Sequence, residues 1–214
     1  VDWAEFRNLT TDDPQMAWRI MAATASQQDA LKRNAGGSVA GNKSDKVVFH
    51  YSLGWHPDEK AGLTKTEMLR AADESIRVLG AEGYQAAIIA HNDTQHPHVH
   101  VVLNRVNPEN GRMLDLWKHQ ERLSRWALAY EKERGQIYCE QREKNWARRD
   151  LGEKFSAERD RPHHHSSQVK GLDPANDNDT AKIMAAQKAK DAALSARGEA
   201  LYCLLYTSPS PRDA

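Results

Sequence analysis

The chain has 214 residues, enough for one medium domain with an appendage. Thirty Lys+Arg balance thirty Asp+Glu and the pI is near 7.3, so a global basic field is excluded; any nucleic acid must be drawn by local patches or a bound cation. A mean hydropathy of -0.80, the lack of an apolar run near the ~20 residues of a membrane span, and the lack of a signal peptide argue against membrane insertion.

The first residue is Val and the text opens inside what reads as an ongoing element. A helix is predicted from Asp13-Pro14, with Pro at its first position and a stripe of Met16, Ile20, Ala23 and Leu31 interrupted at Gln27. The Gly/Ser-rich residues 34–45 read as a loop. Residues 46–57 read as a strand, with Phe49, Tyr51, Leu53 and Trp55 on one face and His50, Ser52 and His56 on the other. A helix over 63–80 is signed by a Thr64/Glu67 capping box, by Met68, Leu69, Ala72, Ile76 and Leu79, and by Gly80 at its end. Residues 84–91 and 98–106 are two strands joined by a short polar run, hence an antiparallel hairpin. A turn over 107–111, a short strand over 112–115 and a helix over 118–134 follow; the helix carries Leu123, Trp126, Ala127 and Tyr130 on one face and is closed by Gly135.

Residues 1–139 therefore predict an α+β domain, an antiparallel sheet with helices packed on it. Residues 140–200 predict a charged helical extension with a linker at 163–179 that holds the run His163, His164 and His165. Residues 201–214 match nothing in the chain's style and resemble translated sequencing-adapter text, so they are expected to be a non-native tail. With the missing start Met, this predicts a fragment cut at both ends. Cys139 and Cys203, far apart, give no disulfide framework and fit a reducing compartment, the cytoplasm.

The chemistry concentrates in residues 91–106, which gather four histidines and an aspartate at the mouth of a strand. His98 and His100 stand two apart on a strand and leave the same face, and a hairpin brings His91 opposite them. Three imidazoles from two rigid strands suit a divalent cation with open positions for substrate oxygens. Asp93 is placed to orient a ligand histidine through its second N–H, and Asn104 shares the face of His98 and His100. His96 reads as a loop residue outside the converging set. His50 is placed to approach the site from the neighbouring strand.

The run His91-x-Asp93-x-x-x-Pro97-His98-x-His100-x-x-x-Asn104-Arg105 resembles the metal-binding motif of conjugative relaxases, the mobilisation nucleases of the HUH endonuclease superfamily, in the branch with plasmid mobilisation proteins and the T-DNA border nuclease. Residues 1–145 share the likeness. It implies a site-specific transesterase acting on single-stranded DNA at a transfer origin, with a tyrosine nucleophile and a cation polarising the scissile phosphate. His91, His98 and His100 would be the ligands, Asp93 and Asn104 supporting residues, and Mn²⁺ or Mg²⁺ the cofactor, with Zn²⁺ next. Accessory relaxosome proteins and a coupling protein are the partners the family implies.

The family's tyrosine precedes the segment at which this chain opens, and Tyr51 and Tyr130 read as core residues. Arg105, Lys43 and Lys46 are candidate DNA contacts, with Arg7 and Arg112 behind them. Two alternatives stay open. His96-Pro97-His98-Val99-His100 also fits a histidine-triad nucleotide hydrolase or transferase, and the chain fits a catalytically empty metal- or DNA-binding module as well.

Overall fold

The computed structural model describes residues 1–40, 44–91 and 96–152. They divide into two compact units, one over Val1–Cys139 and one that starts at Glu140. In the first, four strands form one antiparallel sheet: β1 (Trp3–Arg7), β2 (Val48–Gly54), β3 (Ala86–His91) and β4 (His98–Asn104), in the order β1-β3-β4-β2. Only the central β3–β4 pair is a local hairpin; its register sets His91 against His98 and Ile89 against His100. The strand β1, which sequence pattern left as an unnamed element, closes the edge beside β3, and β2 pairs along the whole of β4.

One face of the sheet is the core. Tyr51, Leu53, Ile88, Val99, Val101 and Leu103 are fully buried there, as strand alternation predicts. Helices α3 (Lys65–Val78) and α4 (His119–Glu133) cover this face through Ala71, Ala72, Ile76, Leu123, Ala127 and Tyr130. At the start of α3, Thr64 Oγ1 accepts from the Glu67 N–H at 3.2 Å. The Glu67 carboxylate does not return to Thr64. It is taken by Arg70 and Tyr130, so the box predicted at this end is half-formed.

The other face carries His50, Ser52, His91, His98, His100 and Asn104. At the Asn104 end it meets α1 (Pro14–Ser26), where the Asn104 amide donates to the Met21 carbonyl. The helix α1 starts as predicted, with the Asp13 carboxylate capping the Gln15 N–H at 2.9 Å. Its inward line differs from the predicted stripe. Ala17 is buried, whereas Met16 is 47% exposed. Period alone could not locate that line, because the polar Thr24 lies on it; the helix also breaks at Gln27, and Gln28, beyond its end, is buried and held by a hydrogen bond to the Gly111 carbonyl. Gly111 has φ of 65°, and a Cβ there would stand 2.5 Å from the Gln28 carbonyl oxygen, so only glycine lets the 107–112 turn meet α2 (Gln28–Asn34) this closely.

The predicted strand over 112–115 shrinks to a single bridge between Val106 and Met113. Asn107 Oδ1 accepts from the N–H groups of Glu109 and Asn110, which favours a tight turn over a ladder. In the second unit, α5 (Glu140–Asp150) is the described part of the charged extension. The linker at 163–179, the later helix and the tail at 201–214 lie outside the described residues. Among the described residues no helix is long and apolar enough to cross a membrane.

Candidate metal centre

Three strands deliver the histidines to one end of the open face. His91 and His98 are direct cross-strand partners, His100 is two residues further along β4, and His50 on β2 lies diagonal to His100, opposite Val102. A diagonal pair is within reach of two long rings. The ring centroids of His91 and His98 are 5.6 Å apart, those of His91 and His100 4.9 Å, and those of His98 and His100 5.2 Å. Rings that share an ion through nitrogens ~2.1 Å from it have centroids about 4.5 to 5.3 Å apart; the two separations to His100 fall in that range, and the His91–His98 separation is slightly longer.

The nitrogens are less far advanced. Among the described residues no three His, Cys, Asp or Glu side chains are gathered in a way that would hold a metal ion. Asp93, the expected supporting carboxylate, lies outside the described residues, as does Lys43.

Two of the rings have a partnered Nδ1. The Nδ1–H of His98 donates to the His96 carbonyl oxygen at 3.0 Å, which in the neutral ring leaves the lone pair on Nε2. His96 thus supports His98 through its backbone carbonyl. His100 Nδ1 meets His50 Nε2 at 2.9 Å. Burial pushes the His50 imidazole below its ordinary value, favouring the neutral form. Sequence pattern placed His50 on this face but not its partner, because the β2–β4 register is a long-range property.

Behind the site, the core anchors the strand ends. The Trp55 N–H donates to the Pro97 carbonyl at 2.9 Å, next to His98. The Trp55 indole donates to Tyr130 Oη at 3.1 Å, and Tyr130 donates to Glu67 at 2.6 Å. The Arg70 guanidinium, with help from Tyr130 and Arg134, holds the Glu67 carboxyl at about 2. His56, predicted on the His50 face, instead caps the short 57–59 turn and stacks on Tyr138 at 4.4 Å.

The predicted polar contacts at the far end are spent on the fold. Asn104 is 2% exposed; its amide donates to Gln85 at 2.9 Å as well as to Met21, and its oxygen accepts from Val106 N–H. It lies four residues from His100, about 13 Å at strand rise. Arg105 donates to the carbonyls of Lys46 and Leu114 at 2.7 and 3.2 Å, and burial lowers its pKa. Arg7 pairs with Asp73 at 2.8 Å on the helix-covered face. Lys46 and Arg112 are exposed at their side chains. Backbone carbonyls and an amide were the better partners for Asn104 and Arg105, a choice no local spacing announces.

A sequence profile of the relaxase family, described as MobA/VirD2-like, nuclease domain, matches residues 2–136. The chain belongs to this relaxase family. Two relatives fit the assignment. Protein MobA of Acidithiobacillus ferrooxidans is 30% identical over 74 residues, covering 35% of this chain and 18% of that protein. Protein TraI of Escherichia coli is 25% identical over 146 residues, covering 63% of this chain and 19% of that protein. The chain thus spans about a fifth of the length of these curated relatives. No solved structure matches. The relaxase profile covers the flanking helices along with the histidine run, and the histidine-triad alternative is set aside.

Proposed function

We propose that this relaxase domain binds single-stranded DNA at a transfer origin and takes part in its nicking and transesterification. His91, His98 and His100 are read as ligands of a divalent cation, Mn²⁺ or Mg²⁺ first. The observation that carries the reading is the meeting of three imidazoles from adjoining strands, with ring centroids 4.9 to 5.6 Å apart, on the sheet face opposite the core. When bound, the cation supplies Lewis-acid polarisation of the scissile phosphate. The chain's own part is to present neutral imidazoles and to keep the phosphate on a rigid platform. The Trp55–Pro97 bond and the β2–β4 ladder hold His98 and His100 in place for that task.

The nucleophile is assigned to none of the described tyrosines. Tyr51 shares its hydroxyl with Ser75 at 2.7 Å in the core, and Tyr130 lies in the Trp55–Glu67 network. β1 enters the sheet beside the site: Trp3 pairs with Ala90, and Asp2 N–H donates to the Ala90 carbonyl at 2.9 Å. A tyrosine-bearing segment joined ahead of Val1 would pass His91. Asp93 is kept as a supporting carboxylate, and Lys43 and Lys46 as DNA contacts. Accessory relaxosome proteins and a coupling protein remain proposed partners.

The test is a protein with a relaxase tyrosine segment grafted ahead of Val1, incubated with single-stranded origin DNA and Mn²⁺. A covalent protein–DNA adduct that chelator abolishes supports the reading. An adduct of equal yield in EDTA overturns the metal assignment, and failure of the native chain to bind Mn²⁺ does so more directly.

A further inference from the structure

His50 is absent from the ligand set, yet its side chain directly contacts one member of it. Its Nε2 stands 2.9 Å from His100 Nδ1, with the ring centroids 5.0 Å apart and the planes inclined by 35°. Two nitrogens at that distance share one proton, and the proton has two possible homes. If His50 Nε2 carries it, His100 is an acceptor at Nδ1 and a neutral His100 ring bears its own proton on Nε2. If His100 Nδ1 carries it, the His100 lone pair moves to Nε2 and His50 becomes the Nδ1–H tautomer.

We propose that His50 is the positioning residue of the cation site: it accepts the His100 Nδ1–H and so selects the tautomer and ring angle in which His100 Nε2 is a ligand. The inference rests on the reading of His100 as a ligand. It gives His100 the same kind of support that the His96 carbonyl gives His98, but from a side chain and across a strand pair. The difference has a consequence. A carbonyl can only accept, so the His98 tautomer is fixed in advance. An imidazole can accept or donate, so the His100 tautomer is chosen when the cation binds, and His50 must change tautomer with it. No net proton is gained or lost by the pair in that exchange.

The test uses the whole chain with Zn²⁺, which is diamagnetic, as the probe. In ¹⁵N-histidine NMR spectra, saturating Zn²⁺ is expected to drive His50 to the Nδ1–H form and His100 to the Nδ1–H form with a bound Nε2. His50 found as Nε2–H with zinc on His100 overturns the proposal. In calorimetric titration, His50→Phe is expected to weaken Zn²⁺ binding about 10- to 100-fold, while His50→Gln, whose amide oxygen can accept the same hydrogen, keeps most of the affinity. If His50→Phe does not fold by circular dichroism, His50→Ala takes its place. Affinity unchanged in the Phe or Ala variant overturns the role of His50 alone. Wild-type protein that binds no Zn²⁺ overturns the ligand reading itself, and His98→Ala as the binding-dead control tells the two failures apart.

Discussion

The two ends of β4 both carry polar side chains and put them to opposite uses. At one end, His50, His91, His98 and His100 crowd ring against ring, with centroids about 5 Å apart. At the other, Asn104 and Arg105 stand on the same β4 strand and its extension, yet carbonyls and an amide from the adjoining segments take up their donors. Polarity on a sheet face is therefore no guide to function by itself. What separates the two ends is whether the neighbouring backbone has unmet hydrogen-bonding needs: the turns after β4 have many, and the regular ladder around the histidines has few.

The sharpest way to break that comparison is at His98. His98→Ala is expected to lower Mn²⁺ affinity by more than 100-fold with little change in thermal stability, measured by calorimetric titration and melting. Unchanged affinity would place the ion elsewhere. Asn104→Ala should do the reverse. It leaves the Gln85 oxygen, the Met21 carbonyl and the Val106 N–H without their partner, a cost of about 1–3 kcal/mol in urea unfolding, with Mn²⁺ affinity intact. A fall in affinity without a fall in stability would restore Asn104 to the site. Arg105→Ala is expected to cost about 1 kcal/mol and to leave single-stranded DNA binding at low salt within twofold; a tenfold loss of DNA affinity would return Arg105 to the interface.

The smallest effect concerns the buttress behind the histidines. Arg70 lowers the folded Glu67 carboxyl to about 2 against an ordinary 4.5. A depressed carboxyl contributes stability that is complete above the unfolded value and is lost as pH falls from about 4.5 toward 2. Glu67→Gln should therefore flatten the stability profile in that acid window and leave its neutral-pH slope alone. An unchanged acid slope would show that the ion pairs around Glu67 do not couple to folding.

Much of this was legible locally. The Asp13-Pro14 start of α1, the Thr64 cap, the β3–β4 hairpin and the shared face of His98 and His100 follow from spacing, because each involves residues a few positions apart. The strand order was not. β1 joins β3 across about eighty residues, and nothing in a five-residue strand with mixed polarity names its partner. The contact of His50 with His100 was hidden for the same reason, since alternation gives a side but only register gives a neighbour. α1 misled in another way. Its inward line uses Thr24, a polar residue that a hydrophobic count passes over, the expected Met16 faces outward, and the helix ends at Ser26, so the buried Gln28 belongs to the next one.

The hairpin that bears the three outer imidazoles closes over only six residues, whereas His50 arrives on a strand some forty positions upstream. Closing the short loop costs little chain entropy, and docking the distant strand costs more. A nascent or partly unfolded chain can thus bring its imidazole trio together before the fourth ring is in place. If the histidines hold a cation as proposed, ion capture at full strength would gauge whether the strand carrying His50 has zipped home, and chelation would report maturation of the platform as faithfully as any spectroscopic probe of its backbone.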